Sequence, residues 1–132
     1  MANQPQIFKY DPETTPQTTL LNPKPGKARY TLCKTDLVSA DVRAYVGVGE
    51  NELHHHTGND GFWMVLRGRV AFYGEGDVVV AELGKHEGIL IPRGFNYWFA
   101  GIGDERLELL HVGAKAQTVE DRVVQPLRST KE

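Results

Sequence analysis

Short apolar segments separated by glycine-containing turns run through the middle of this chain, and they restrict its fold more than any other feature. Thirteen of the fourteen glycines lie between Gly47 and Gly113. Glycine accepts the positive φ angle of tight hairpin turns. The apolar segments between the turns are only strand-sized. Many short strands at even spacing predict an all-β fold, either a closed antiparallel barrel or a jelly roll.

The predicted strands are rich in β-branched and aromatic residues and end at turn residues. Seven segments meet this description: 42–48, 62–66, 69–73, 78–83, 89–92, 97–100 and 107–112. In the first segment, Val42 and Ala44 alternate with Arg43 and Tyr45, which predicts a half-buried strand. No internal repeat, low-complexity segment or second domain interrupts the pattern.

Both ends of the chain differ from this central region. The first 26 residues carry five of the seven prolines, which exclude a continuous helix or a central strand there. We therefore predict an extended arm over residues 1–28, a barrel over 29–113 and a C-terminal extension over 114–132. The arm can lie across a second copy as an added edge strand, so a homodimer is expected. In the extension, one short helical turn is predicted around Val119 to Val124, before Pro126.

The size, charge and cysteine content of the chain exclude several classes of function. Its 132 residues fit one domain that can bury a core of its own. A formal net charge of −2 with mixed signs leaves no basic stripe for nucleic acid and no polybasic patch for a membrane surface. Cys33 is the single cysteine and no secretory signal opens the sequence, so a cytoplasmic protein is expected. The expected partner is a small-molecule ligand or substrate.

Three consecutive histidines at the start of the central region are the strongest indication of a functional site. On a strand, His54 and His56 project to one face and His55 projects to the other. Two neutral imidazoles from one strand can chelate a divalent ion, and a carboxylate would complete a two-histidine, one-carboxylate face with open positions. Asp60 is the candidate carboxylate. Its asparagine and glycine neighbours are also typical of a turn in which the carboxylate binds backbone amides.

Two further motifs carry a family resemblance. Val65-Leu66-Arg67-Gly68 and Ile91-Pro92-Arg93-Gly94 follow the histidines in this order. With His54-His55-His56 ahead of them, the segment from about Val42 to Val112 resembles a small single-domain cupin. The resemblance implies a double-stranded β-helix, the jelly-roll barrel of that family. It is less specific for activity, because cupins include metal-dependent dioxygenases, decarboxylases, isomerases and epimerases as well as metal-free binding and regulatory modules.

The resemblance also assigns metal ligands, and half of them are present. The family's first motif pairs His-x-His with a downstream glutamate, and its second motif places a histidine after Pro-x-Gly. His54 and His56 match the first pair, whereas Gly61 stands at the glutamate position and Tyr97 at the position of the last histidine. Asp60 can turn inward at a β-bulge, Tyr97 can bind the ion or a metal-bound water, or water and substrate can occupy the open positions. The implied cofactor is a divalent transition metal (Fe, Mn, Ni or Zn), with a metal-free pocket as the alternative.

Aromatic residues and one further histidine complete the set of candidates. Trp63 shares its strand parity with the glutamate position and Phe99 shares its parity with Tyr97, so these rings are expected to form the walls of one cavity. His111 alternates with leucines and faces the barrel interior, either as a hydrogen-bonded core residue or as part of the site. The predicted catalytic residues are His54 and Tyr97, and the predicted substrate contacts are Trp63, Tyr97, Phe99 and His111.

Three functions agree with these residues. The first is a metal-dependent enzyme of the dioxygenase, isomerase or lyase type, in which His54 and His56 hold the ion that polarises a small organic substrate. The second is a metal-free binding or regulatory module whose histidines hydrogen-bond a metabolite. The third is sugar-nucleotide epimerisation by a histidine base and a tyrosine acid. That chemistry requires a basic phosphate clamp, and the evident cations near the motifs are Arg67, Arg69 and Arg93.

Overall fold

The structure, a computed structural model, describes residues 4–13, 26–47, 49–116 and 120–126. Within these ranges the chain forms ten β-strands and one 3-10 turn at Glu75–Asp77. The strands are β1 (Lys27–Lys34), β2 (Val38–Tyr45), β3 (Gly49–His56), β4 (Asn59–Arg67), β5 (Val70–Tyr73), β6 (Val79–Leu83), β7 (Gly88–Ile91), β8 (Tyr97–Gly101), β9 (Leu107–Lys115) and β10 (Arg122–Val124). No helix in the described ranges is long and apolar enough to cross a membrane.

The strands form two five-stranded antiparallel sheets packed around one core. The first sheet has the order β1-β2-β9-β4-β7 and the second has the order β10-β3-β8-β5-β6. Strands that are distant in sequence are neighbours in both sheets, as in a jelly roll rather than a simple meander. The predicted all-β architecture is therefore confirmed.

The core lies between the two sheets and is apolar at its centre. Val65, Phe72 and Leu109 are fully buried there. Burial of a side chain of this size contributes about 1.5–3 kcal/mol. In the register of β4 with β9, Val65 lies opposite Leu109, and Trp63 lies opposite His111. The apolar centre of the core therefore gives way to polar groups toward the end where Trp63 and His111 meet.

The described part of the arm, residues 4–13, lies against its own barrel. The Gln6 side chain pairs with the backbone of Lys34: its Nε2 donates to the carbonyl at 2.7 Å and its Oε1 accepts from the amide at 2.8 Å. The Tyr10 hydroxyl donates to Glu108 Oε1 at 3.0 Å, and the Tyr10 ring contacts that of Tyr30. The arm thus covers part of the first sheet of its own chain, and its docking on a second copy stays a prediction.

The C-terminal extension differs from its prediction. The helical turn predicted around Val119 to Val124 is wrong over its described part, because Arg122–Val124 forms β10 and pairs with β3. Val123 and Val124 are β-branched and lose side-chain freedom in a helix, which favours a strand when a free edge is available. Val119 itself lies outside the described residues. β10 therefore lies beside the histidine-bearing strand.

Candidate functional site

A pocket of about 320 Å³ lies at one end of the space between the sheets. Residues of both sheets and of the C-terminal extension line it: Arg29, Ser39, Asp41, Arg43, Glu50, His54, His56, Asn59, Trp63, Tyr97, Phe99, His111, Lys115, Glu120 and Arg122. All the predicted site residues except Asp60 are among them. A larger hollow of about 850 Å³ lies where the arm meets the barrel and contains none of the predicted site residues.

The histidine pair projects into the pocket, as strand alternation predicts. The ring centroids of His54 and His56 lie 5.3 Å apart. His54 Nδ1 lies 2.7 Å from the Glu52 carbonyl oxygen, and His56 Nδ1 lies 3.1 Å from Glu120 Oε2. These oxygens can only accept, so each Nδ1 carries a proton. In the neutral ring, each Nε2 therefore keeps its lone pair for the pocket.

His54 and Tyr97 are adjacent, and burial moves their pKa values in opposite directions. Their ring centroids lie 4.5 Å apart. Burial is the main cause that lowers the pKa of His54 from 6.5 to about 4; the hydrogen bond with the Glu52 carbonyl opposes this shift, and the charge of Arg122 contributes to it. Burial raises the pKa of Tyr97 to about 12, although Arg43 and Arg122 oppose that shift. At neutral pH the pair is a neutral imidazole beside a phenol that keeps its proton.

Asp60 lies outside the pocket, which corrects the expected two-histidine, one-carboxylate ligand set. It precedes Gly61 on β4, and strand alternation directs the two residues to opposite faces. No bulge redirects it, because the register with β9 is regular from Asn59 to Val65. Asp60 Oδ1 accepts from the backbone amide of Arg93 at 2.9 Å and lies 3.7 Å from Arg93 Nε. Asp60 therefore anchors the turn after β7 and does not approach the histidines.

The described residues do not form the metal site that the resemblance implies. His54 and His56 are each held through Nδ1, as histidine ligands commonly are. Within the described ranges, however, no group of three or more His, Cys, Asp or Glu side chains is placed to hold an ion. The charges of Arg43 and Arg122 also act on this space and oppose a divalent cation.

Four cationic side chains of the pocket were not predicted from the sequence. They are Arg29, Arg43, Lys115 and Arg122. Arg43 is largely buried: its guanidinium lies over the Trp63 ring, with Cζ 5.2 Å from the centroid, and its Nε donates to Asp41 Oδ1 at 3.1 Å. The alternation of β2 is visible in the sequence. Nothing in that alternation shows that the face of Arg43, rather than that of Val42, borders the pocket.

The acidic side chains of the pocket already have partners. Asp41 accepts from Arg43, and Glu120 binds the Nδ1 atom of His56. Glu50 accepts from a buried tyrosine hydroxyl at 3.4 Å. Four cationic side chains thus face three acidic ones, and Asp41 pairs with two of these cations, Arg29 and Arg43, so the pocket lining carries a surplus of one positive charge. Such a surplus of positive charge attracts anionic ligands.

β10 completes one wall of the pocket. Arg122 lies opposite His56 in the register of β10 with β3, so both side chains project to the same face. Just before β10, Glu120 uses both carboxylate oxygens: Oε2 binds His56 and Oε1 accepts from the Gly58 amide at 3.2 Å. The sequence indicates neither residue, because its pattern predicts a helical turn in the extension.

The aromatic candidates and His111 line the pocket from its core side. Trp63 and Phe99 are each 1% exposed, and their ring centroids lie 5.2 Å apart. His111 Nδ1 lies 3.3 Å from Arg43 Nη2 and 3.5 Å from Asp41 Oδ1. Burial lowers the pKa of His111, although the nearby Asp41 carboxylate opposes that shift, so the ring is neutral at pH 7. His111 is therefore both a hydrogen-bonded core residue and part of the pocket lining.

Several solved structures are similar to this chain. A Klebsiella pneumoniae protein with a double-stranded β-helix domain has a TM-score of 0.66 at 14% identity, over 88% of this chain and 100% of that chain. A sugar phosphate isomerase of the cupin superfamily from Silicibacter pomeroyi has a TM-score of 0.66 at 16% identity, over 92% and 76%. KdgF from Halomonas sp. has a TM-score of 0.63 at 14% identity, over 86% and 97%. A scan against protein-family models and a search of curated proteins found no match. At these identities the likeness concerns the fold alone.

Proposed function

This chain has the cupin-type double-stranded β-helix fold, and we propose that its pocket binds a small organic anion and moves a proton on it. His54 acts as the base and Tyr97 as the acid, in a reaction of the isomerase, epimerase or lyase type. One observation carries the proposal: an imidazole with a free lone pair lies beside a protonated phenol, in a pocket with more cationic than acidic side chains. Paired groups whose pKa values are pushed apart are characteristic of acid–base sites.

The proton transfer needs no group beyond this pair. His54 Nε2 accepts a proton from a carbon next to a carbonyl or carboxylate group, and the Tyr97 hydroxyl donates to the oxygen on which negative charge develops. Return of the proton from His54 to the neighbouring carbon completes an isomerisation, whereas an epimerisation requires that a proton reach the same carbon from its opposite face. A bound anion compensates the charge of Arg122, one of the causes that lower the pKa of His54, and so makes His54 a better base.

The cationic side chains indicate the class of ligand. Arginine forms paired hydrogen bonds with carboxylates and phosphates, and lysine binds them as a point charge. Arg122 and Lys115 border the pocket, and among the described residues Arg122 pairs with Glu52 at 3.5 Å. A volume of about 320 Å³ suits a molecule the size of a sugar acid or a sugar phosphate.

The epimerase-like hypothesis requires a basic phosphate clamp. The cationic side chains of the pocket can supply it, although the sequence did not indicate them. Arg67 and Arg69 border the hollow beneath the arm, and Arg93 pairs with Asp60. The cations of the pocket come instead from β1, β2, the end of β9 and β10. A structural neighbour is named as a sugar phosphate isomerase, an enzyme class that acts on anionic sugars, and this supports the same ligand class here.

A binding experiment tests the proposal. The melting temperature of chelator-treated protein is measured with glucuronate, glucose 6-phosphate or neutral glucose at constant ionic strength. We expect the anions, and not glucose, to raise it, since a ligand at ten times its Kd stabilises by about 1.4 kcal/mol. Arg122→Gln is expected to weaken this effect. Arg93→Gln, which removes a cation outside the pocket, is the matched control.

Two outcomes would overturn the proposal. Equal stabilisation by glucose would show that charge does not select the ligand. Stabilisation by Fe(II), Mn(II), Ni(II) or Zn(II) that is lost in a His54→Ala/His56→Ala double variant, with no response to either anion, would favour the metal-dependent function instead.

A further inference from the structure

Gly61 leaves an oxygen-sized notch beside the pocket. A cavity of about 10 Å³ borders Gly61 and shares His56, Asn59, Tyr97 and His111 with the main pocket. A space of roughly 10–15 Å³ accommodates a single water-sized group. We call this cavity the Gly61 notch.

Two nitrogen atoms face the point where a side chain at position 61 would begin. A Cβ atom there would lie 3.3 Å from Trp63 Nε1 and 3.5 Å from His111 Nε2. Trp63 is 1% exposed, and its Nε1 has no acceptor in full hydrogen-bond geometry among the residues that the structure describes. The Tyr97 hydroxyl lies near enough for this indole N–H to oppose the rise in the Tyr97 pKa. A buried donor is rarely left without an acceptor, so this indole N–H points to an acceptor that a ligand supplies.

His111 provides the second donor. Its Nδ1 lies 3.3 Å from Arg43 Nη2 and farther, at 3.5 Å, from Asp41 Oδ1, which already accepts from Arg43 Nε. A guanidinium group can only donate, so His111 Nδ1 accepts. The proton of the neutral ring is then on Nε2, the atom that faces the Gly61 notch.

We propose that Trp63 Nε1–H and His111 Nε2–H form an oxyanion site in the Gly61 notch, which binds a carbonyl or carboxylate oxygen of the substrate. The inference rests on the proposed function and deepens it, because it restricts the substrate to molecules with such an oxygen next to the carbon that loses its proton. When His54 accepts that proton, the electron pair of the C–H bond moves toward the oxygen. Two fixed donors stabilise the charge that develops there.

Tyr97 borders the same notch, which connects the oxyanion site with the acid. Its hydroxyl can therefore donate to the oxygen that the two N–H groups hold. A side chain at position 61 would occupy the place of that oxygen. Gly61 is thus a specificity-determining position in this chain, and not merely the absence of a glutamate.

The two tryptophans of the chain allow a direct test by nuclear magnetic resonance. The indole N–H of Trp98 donates to Asp77 Oδ1 at 3.1 Å and serves as an internal reference. Chelator-treated, ¹⁵N-labelled protein is titrated with sodium pyruvate, against sodium chloride at equal ionic strength. We expect the Trp63 indole proton to move downfield and to saturate, while the Trp98 proton does not move.

Gly61→Ala places a methyl group in the notch. It is expected to abolish the Trp63 response and to weaken pyruvate binding at least tenfold, a loss of about 1.4 kcal/mol. Gly84→Ala is the control, because a Cβ atom there meets only the end of the Glu87 side chain at 3.6 Å.

Three outcomes would overturn the inference, and they separate it from the proposed function. If pyruvate raises the melting temperature of both wild type and Gly61→Ala without moving the Trp63 signal, the oxyanion site in the Gly61 notch is contradicted. The proposed binding of an anion in the main pocket is then retained. If sodium chloride reproduces the Trp63 shift, the shift is an effect of ionic strength and not of pyruvate binding. The absence of any pyruvate binding would remove the oxyanion site, and the proposed function would then be decided by the binding of glucuronate and glucose 6-phosphate.

Discussion

Single residues set the protonation states of the pocket, and burial is the main cause of each. His54, Tyr97 and His111 are all buried. Burial lowers the pKa of both histidines and raises that of Tyr97, so it favours the neutral form of all three side chains. The positive charge of the pocket is left to Arg29, Arg43, Lys115 and Arg122. Recognition of an anion and transfer of a proton therefore belong to different side chains.

The lowered pKa of His54 predicts a loss of stability in mild acid. An unfolded histidine binds a proton below pH 6.5, whereas the folded His54 does so only near pH 4. The unfolded state thus binds more protons in this window, and the free energy of unfolding falls as the pH decreases through it. The contribution of His54 is about 3 kcal/mol, since one pKa unit corresponds to about 1.4 kcal/mol. Urea unfolding at several pH values measures this slope.

His54→Asn is expected to reduce the slope, because asparagine does not titrate and can still donate to the Glu52 carbonyl. His86→Asn is the matched control: His86 is exposed and has a φ of 70°, a conformation that asparagine tolerates. A residual slope is expected from the buried His111. If His54→Asn and His86→Asn both retain the full slope of wild type, the low pKa of His54 is contradicted.

For the strands, the sequence predicts how residues alternate between the two faces. It does not predict as well which face borders the pocket. The turns, the glycine positions and the two cupin-like motifs are sufficient to predict the jelly roll. The face of β2 that carries Arg43 was not identifiable, because burial of its charge depends on Asp41 and Trp63, contacts that only the folded sheets create. The prediction that Asp60 is a metal ligand is wrong for a different reason. Its sequence distance from His56 suits a ligand, but the regular register of β4 with β9 directs its side chain away from the pocket.

Glu120, just before β10, is expected to control the orientation of His56. Glu120→Ala removes the acceptor for His56 Nδ1 and for the Gly58 amide, so we expect a loss of about 1 kcal/mol of stability and a changed hydrogen-bonding state of the His56 ring. Urea unfolding and the ¹⁵N shifts of the His56 ring measure the two effects. In the control, Asp121→Ala, the backbone bond from the Asp121 amide to Thr57 Oγ1 is retained. An unchanged His56 ring in Glu120→Ala would contradict the role of Glu120.

The arm is expected to be fixed by one buried carboxylate. Glu108 is 1% exposed, accepts from Arg106 Nε at 2.8 Å and receives the Tyr10 hydroxyl at 3.0 Å. Tyr10→Phe removes one hydrogen bond to a charged group, which costs about 1.5 kcal/mol. Urea unfolding measures this cost, and limited proteolysis is expected to cut the arm faster. Tyr30→Phe keeps the ring contact and is the control; an equal effect in both variants would assign the cost to packing.

For the molecule as a whole, two exposed apolar side chains on the outer face of the first sheet indicate self-association. Phe62 on β4 lies directly opposite Leu90 on β7, and the two side chains are 42% and 63% exposed. Adjacent exposed apolar residues on a sheet are typical of a surface that another protein covers. We therefore expect a homodimer, with twice the 14.7 kDa mass of the chain in sedimentation experiments.

Leu90→Lys is expected to yield a folded monomer, because it places a charge within this apolar face. Val79→Lys, on the exposed part of β6 in the second sheet, is the matched control and is expected to stay dimeric. If Leu90→Lys keeps the dimeric mass, another surface forms the dimer, and the predicted docking of the arm becomes the next candidate.

His54 and Tyr97 are proposed to transfer protons on an organic anion without a metal ion. This proposal is tested by deuterium incorporation into glucuronate and glucose 6-phosphate, followed by proton nuclear magnetic resonance in D₂O with chelator present. We expect exchange of a proton on a carbon next to a carbonyl group, a loss of at least about a hundredfold in His54→Asn or Tyr97→Phe, and wild-type exchange in His86→Asn. Exchange that requires added metal, or that persists in His54→Asn, would rule out metal-free proton transfer by this pair.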